Sequence, residues 1–530
     1  MSAYRPYSAP SESPAAFLDP ASGTPEASSR PDTNVDSYAA VDSFWATLRR
    51  RGRRRLFDQA LEFTRRYRHV DLPLRDTPDP DELDFVLSGH QPTLFHPGVW
   101  FKNHTLHRIA QEKRAVGINL VVDNDIDTSH AIRVPRRTEQ GRVALESVSL
   151  DHHAGSQPFE QTRITDESLF QSFPERVRML LRGLVDDPCV TELWRFASGS
   201  VHRGQNRGEL LARARHCLEA QLGWQTLEVP LSVVAQDWGF SRFAVEILAE
   251  PIAFEEVYNR WTQHYRDAHG IRSQSHPVPN LGRENEWVEA PFWVYGSESP
   301  ERRGLWVRRR ATRLEITDRR SKSKYLEISD RDLAAEELLA AQSNAWKLRP
   351  RALMTTLFAR TVLCDLFVHG IGGGKYDQLA DRIAEEYLGF KPVPYLVATA
   401  TIRLPGVAQH PEADHEVKSL RRKLRDYRYH GEHALDLMDS ECETLRQRKA
   451  ELIKNWPAKG SRAAWHREME STNAAIYQRL QVQVSETEAK VRMANIQARS
   501  EAILRDRERS FCLYPSAYLA ESFDQIGWQA

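Results

Sequence analysis

Apolar and polar positions recur with two different periods along the chain, and these periods divide it into strands and helices. The run DFVLSG (Asp84–Gly89) is apolar and closes on a glycine, as a buried strand does. NHTLHRIAQEKRA (Asn103–Ala115) has helical spacing with Asn103 as its cap, and INLVV (Ile118–Val122) is a second buried strand. A strand, a loop, a helix and a strand in this order predict a parallel pair with a right-handed crossover. Ligands of such sheets sit beyond the C-terminal ends of the strands. Upstream, a helix is predicted from near Tyr38 through Phe44, Trp45, Leu48, Leu56, Leu61 and Phe63. Downstream, residues 151–260 read as mainly helical (Leu169–Leu184, Glu209–Leu222, Ala244–Tyr265) around one strand, LEVPLSVVAQ (Leu227–Gln236). Residues 291–328 alternate as a β-hairpin does, in PFWVYG, GLWVRR and RLEITD, with SKSK (Ser321–Lys324) read as a turn.

Two longer stretches, 412–454 and 461–505, keep apolar residues three and four apart. Val417, Leu420, Leu424, Tyr427, Met438, Cys442, Leu445 and Leu452 mark the first; Ala489, Met493, Ile496 and Ile503 mark the second. WPAKGSR (Trp456–Arg462) separates them, with Pro457 and Gly460 as punctuation. The spacing is heptad-like and predicts an antiparallel coiled-coil hairpin with arms about 60–65 Å long. So narrow an apolar seam on so long a hairpin leads to the expectation of a homodimer.

Composition narrows the class. A chain of 530 residues holds about two to four domains. Lys+Arg and Asp+Glu both number 73, so net charge gives no reason to expect nucleic acid or a membrane as partner. One basic run, Arg49, Arg50, Arg51, Arg53, Arg54 and Arg55, is read as a solvated helix face. Five cysteines without CxxC spacing fit a reducing compartment. With no secretory pattern at the start and no run of roughly 18 apolar residues, a cytoplasmic protein is expected. Residues 1–38, rich in Ser, Pro, Ala and Asp, are expected to form a disordered tail.

Three polar clusters could carry chemistry. SGHQPTLFHPGVWFKN (Ser88–Asn103) gathers Gly89, His90, Gln91, His96, Gly98, Lys102 and Asn103 between a strand and a helix. His96-Pro-Gly98 is similar to half of the HxGH element of nucleotidyltransferases, whose histidines stabilise charge on transferring phosphates. DNDIDTSH (Asp123–His130) follows the second strand, and Asp123, Asn124, Asp125 and Asp127 offer acid/base groups, a hold for an amine, or ligands for Mg2+ with bridging phosphates. HGIGGGKYDQLADRIAEEYLG (His369–Gly389) places Gly370, Gly372, Gly373 and Gly374 before a helix, with His369 and Tyr376 at its borders. Backbone N–H groups there could cradle a phosphate or carboxylate.

These clusters, in this order, resemble the bacillithiol biosynthesis cysteine-adding enzyme family (BshC). SGHQPTLFHPGVW resembles the family's TGQQxGLFxGPLY, VVDNDID its FWxxxEDHD, and FVHGIGGGKYD its YVGGPGEIAYW. The strand KPVPYLVATATIRL (Lys391–Leu404) and the helical hairpin extend the similarity over roughly residues 84–505. Gly89, Gln91, Asp125, Asp127, Gly370, Gly372 and Tyr376 match by position. His90, Ile126 and Gly373 stand where the family has Gln, His and Glu. The resemblance implies a Rossmann-like parallel-sheet core, a coiled-coil dimer, and a reaction joining cysteine to glucosaminyl malate through an amide.

The expected organisation is therefore an α/β protein. It has a first half-core (39–150), inserted mixed helical and β-hairpin segments (151–330), a second half-core with the glycine loop (331–410), the coiled-coil hairpin (411–505) and a C-terminal segment (506–530). The expected function is a ligase or transferase acting on a small polyanionic substrate, with a nucleotide (ATP or ADP) and Mg2+ as the cofactors in view. His90 and His96 are the candidates for general acid/base catalysis or charge stabilisation, Lys102 and the Gly370–Gly374 amides the anion holders, and Asp125 and Asp127 the hold for an amine or metal. The alternatives are a nucleotidyltransferase-like enzyme with another acceptor and a catalytically silent dimeric interaction protein.

Overall fold

A computed structural model describes residues 4–20, 43–72, 80–153, 155–198, 205–273, 278–407, 412–436, 439–457 and 462–526. Tyr38, Met438 and Gly460, and the tail from residue 21 to 38, lie outside these residues. The protein is mixed α/β. Its central sheet has six strands: β1 (Ala15–Asp19), β2 (Phe85–His90), β3 (Val116–Val121), β4 (Leu227–Pro230), β5 (Leu366–His369) and β6 (Tyr395–Thr401), in the spatial order β1-β6-β5-β2-β3-β4. β2 to β6 are mutually parallel, and β1 closes the edge antiparallel to β6. β3 and β4 are buried at every position, as expected of parallel strands covered on both faces.

The helices include α1 (Ser43–Arg65), α2 (Pro97–Lys113), α3 (Arg207–Gln221) and α4 (Ile371–Ile383). The predicted strand–helix–strand unit is present as β2-α2-β3. The helix, however, begins six residues before the expected cap. Pro97 fits the first helical position, where its missing N–H costs nothing, and His96 supplies the cap. Asn103 is therefore inside the helix. The predicted strand 227–236 stops at Pro230 and turns into a short helix, Leu231–Val234. β4 lies in the segment expected to be an insertion, so the core draws on three stretches of chain rather than two halves.

The insertion proper is a second sheet, wholly antiparallel. It runs Lys324–Glu327, Arg313–Thr317, Ser299–Arg310, Trp287–Gly296 and Lys347–Pro350, with Arg283–Glu284 folded onto Trp287–Gly296. SKSK lies at its turn, where Asp318 accepts bonds from the N–H groups of Arg320 and Ser321.

Part of the expected tail is ordered. Residues 15–19 pair with Thr401–Val397 along the free edge of β6. Tyr7 is buried, and the Ser13 hydroxyl accepts from the Arg403 N–H. A composition poor in apolar residues still docks when an open strand edge offers backbone partners.

The late helices are α5 (Glu412–Tyr429), α6 (Ser440–Lys454), α7 (Arg462–Arg479) and α8 (Gln481–Arg505). α5 lies antiparallel to α8, with Ala413 bonded to Glu501 and Arg421 to Asn495; α6 lies antiparallel to α7, with Arg448 paired to Glu468. Each expected arm is thus two helices. The bend at Gly431 brings the backbone so close to Ile476 that a Cβ would lie 2.8 Å from it. Tyr427, Cys442, Ile476, Leu480 and Val484 form the seam, whereas Met493, predicted to belong to it, is exposed. Among the described residues, no helix is long and apolar enough to cross a membrane.

The basic run is a solvated face only in part: Arg50, Arg51, Arg54 and Arg55 are exposed, whereas Arg49 and Arg53 turn inward. Arg49 and Arg53 both pair with buried Asp365 at 2.6 and 2.7 Å, Arg54 pairs with Asp81, Arg55 with Asp237, and Arg51 stacks on Trp238. Asp365 also accepts the Phe85 N–H at 2.7 Å. Removing one partner of a buried charge cluster strands the others. Asp365→Asn is therefore expected to lower stability by about 3–5 kcal/mol in urea unfolding, whereas Arg50→Gln, on the exposed side of the run, stays within about 0.5 kcal/mol.

Candidate functional site

In chain order the parallel strands lie 3-2-1-4-5, so the direction of winding reverses between β2 and β5. In sheets of this kind the ligand crevice lies beyond the strand ends at such a reversal, and that is the candidate site. The register sets Val368 beside Ser88, which brings Gly370, just past β5, next to His90 at the end of β2. Gln91 follows His90 and donates to Asp125 from the loop after β3. Arg302 reaches over from the second sheet and pairs with Asp125 at 2.8 Å. Gly370 caps α4 without a side-chain bond, and a Cβ at Gly370 or Gly372 would meet nothing within 4 Å. The crevice therefore gathers His90, Gln91, Asp125, Gly370 and Gly372 from the expected set, with Arg302 added.

Several expected residues are held elsewhere or differently. The Asn103 amide donates to Glu219 at 2.7 Å, which turns its oxygen toward His90 Nε2, 3.0 Å away. His90 Nε2–H therefore donates to Asn103, and Nδ1 lies 3.1 Å from the Gln91 carbonyl. Both ring nitrogens face protein, which corrects the reading of His90 as a free acid/base group. Burial, then the Lys102 ammonium and Arg215, hold its pKa well below the usual histidine value. Lys102 is itself buried. Its Nζ turns to the Gly89 carbonyl at 2.5 Å, and burial followed by Arg215 pushes its pKa down to about 7.

His96 caps α2, its Nδ1 accepting from the Gly98 N–H at 3.1 Å, while Nε2 faces Glu508 of the C-terminal segment at 3.4 Å. Gly98 is needed for close packing, since a Cβ would lie 2.3 Å from the Ala400 carbonyl. Asp123 accepts from the Ser232 N–H and hydroxyl, and burial followed by Glu160 raises its pKa. Asn124 donates to the Pro350 carbonyl. Asp127 is buried against Arg207 at 2.6 Å, so it tethers α3. His369 donates to Asp377 at 2.7 Å. Burial would raise the Asp377 carboxyl, but Arg360 and His369 outweigh it and hold its pKa well below the carboxylate range.

The glycine cluster is the first turn of α4 rather than a loop. Gly373 packs on the His369 ring, and Gly374 on Val397 and Tyr7. Tyr376 lines a cleft of about 620 Å³ with Lys375 and Tyr265, away from the crevice. A second cleft, of about 660 Å³, lies at the opposite ends of β5 and β6, beside Leu366 and Tyr395; Arg5 and Tyr7 line both clefts.

The expected Mg2+ does not fit the donors as built. Asp125 is neutralised by Arg302 and Asp127 by Arg207. His216, Glu219 and Glu228 lie close enough together to suggest a metal. However, Arg215 bridges both carboxylates, and His216 is bonded to Tyr67 and Thr226. Arg302, Trp293, Arg207 and Glu219 escaped the sequence reading because strand alternation and helix periodicity mark them only as surface or core. The repeated arginines of the GLWVRR region were the available signal.

Fold and crevice together define a class: a mixed α/β protein with a parallel-containing sheet and a winding reversal that carries a polar, arginine-capped opening. Neither a protein-family model nor a curated protein matches the chain.

His96 provides a titration test. Burial and then Arg507 push its pKa down to about 4, from the usual 6.5. The unfolded state therefore binds more protons between these values, and stability falls as pH drops through that window. His96→Asn keeps a capping oxygen without the titration. Its urea midpoint is expected to drop less than the wild type's between pH 7 and 5.

Proposed function

We propose that the chain is a Rossmann-like ligase or transferase of the BshC type, joining an amino-acid-type donor to a sugar-acid acceptor. Its anionic substrate binds at the reversal between β2 and β5. The observation that carries this reading is the strand order 3-2-1-4-5, because nucleotides and similar anions bind outside the strand ends at such a reversal. Support comes from the open backbone at Gly370 and Gly372, where the first N–H groups of α4 face a space that a side chain would leave free. On this reading the α4 amides hold an oxyanion. Gln91 and Asp125 orient an amine. His90, fixed by Asn103 and Glu219, forms a neutral wall.

A second reading, a catalytically silent interaction protein that dimerises through a coiled coil of α5–α8, draws support from a different observation. His90, His96, Asp127 and His369 all have protein partners. Exposed Tyr429, Ile453, Trp456, Val482 and Met493 lie on or beside those helices and supply apolar surface for a second copy. In sedimentation at micromolar concentration this reading requires a dimer that Trp456→Ser weakens, and a monomer would remove it.

Ligand-induced thermal shift separates the readings. ATP, ADP, cysteine and glucosaminyl malate are tested with and without Mg2+. A ligand at 100 times its Kd adds about 2.7 kcal/mol of stability. Stabilisation by cysteine or glucosaminyl malate, lost in Asp125→Ala, is the expected result. Stabilisation by nucleotide alone indicates a nucleotidyltransferase-like enzyme with another acceptor, and no response leaves the silent protein.

A further inference from the structure

We propose that Arg302 is the residue through which the crevice between β2 and β5 recognises a carboxylate. The inference rests on the reading of that crevice as the ligand site and adds the group that selects the ligand.

Other cations around the opening are engaged. Lys102 turns to Gly89, Arg351 to Glu289, Arg349 and Lys347 to Glu160, and Arg207 to Asp127 and Asp151. Arg302 differs. It is half-buried, and Nη1 alone makes its bonds, to Asp125 at 2.8 Å and to the Asn124 carbonyl at 3.3 Å. Among the described residues, Nε and Nη2 have no protein partner. These two donors form the side-on edge of a guanidinium, the edge that matches the two oxygens of a carboxylate.

The plane of that edge is fixed. Arg302 Cζ lies 4.9 Å from the Trp293 ring centroid, and Arg351 lies 4.1 Å from the same ring. The aromatic ring and Asp125 together prevent the side chain from swinging, so little rotamer freedom remains to be lost on binding. Asp125 and Gln91 tie the fork to the ends of β3 and β2, which is where the crevice lies. The pair also links the second sheet to the core, a structural role that would not distinguish an acid from its ester.

The test uses that distinction. Calorimetric titration of the full chain compares L-malate, its dimethyl ester and inorganic phosphate. The wild type is expected to bind malate at least about tenfold more tightly than the ester, the effect of a charge-assisted pair of bonds. Arg302→Gln loses that preference, so that malate and its ester bind alike. Arg302→Lys, which keeps the charge but not the fork, falls between. Urea midpoints of the unliganded variants show that each is folded. A preference that survives in Arg302→Gln overturns the proposal, as does tighter binding of phosphate than of malate. A wild type that answers nucleotide in thermal shift but binds no malate keeps the crevice as the ligand site and removes carboxylate recognition. Silence toward every ligand removes both.

Discussion

A single carboxylate ties α1 to the central sheet where its winding reverses. β2 and β5 lie side by side, although the second sheet, a two-stranded ribbon that pairs Ala131–Arg137 with Val143–Ser149, and most of the helices intervene in the chain between them. Asp365, just ahead of β5, accepts the first N–H of β2 with one oxygen and Arg49 and Arg53 of α1 with the other. The buried charge is fully answered, which is the condition for its being tolerated at all. α1 can deliver both arginines only by lying close to the 359–363 turn. Gly52 makes this approach possible, since a Cβ there would sit 2.7 Å from Val362. The crevice exists because this seam brings Gly370 level with His90.

The charges around the opening follow one rule: nearly every ion faces a protein counter-ion. Asp127 has Arg207, Glu160 has Arg349, Asp377 has Arg360, and Glu219 and Glu228 share Arg215. Such closed networks fix geometry rather than supply reactive groups. His90 shows the result, since the Glu219–Asn103 chain sets its tautomer and leaves neither nitrogen facing the opening. What these networks leave over includes the backbone at the start of α4 and the Nε and Nη2 edge of Arg302.

The strand–helix–strand unit and its two strand-end clusters were legible because buried parallel strands are continuous apolar runs, and FVLSG and INLVV are such runs. The membership of β4 was not. Leu227–Pro230 is too short to be told from the helix that follows it, and only pairing with β3 fixes its sheet. Residues 15–19 were unreadable for a related reason, since their order comes from an edge that lies far along the chain. Among site residues, glycines and aspartates could be found by type and position but not by role. Asp125 and Asp127 are two residues apart, yet one reaches the crevice and the other is sealed against α3. For Arg302 the local signal was only a run of arginines, which could not single it out because its partner follows a strand of a different sheet.

The edge strand β1 also orders events in time. Its partner β6 lies far along the chain, with Asp19 opposite Val397. At ribosomal speeds of about 5–20 residues per second, β1 emerges roughly 20–75 s before the strand it completes. During that interval the other five strands cannot be finished either, because β5 and β6 are made late. β1 therefore waits for a strand that is made long after it. Until then the nascent chain carries an unpaired strand at one end and an unclosed sheet at the other, the kind of surface that chaperones recognise.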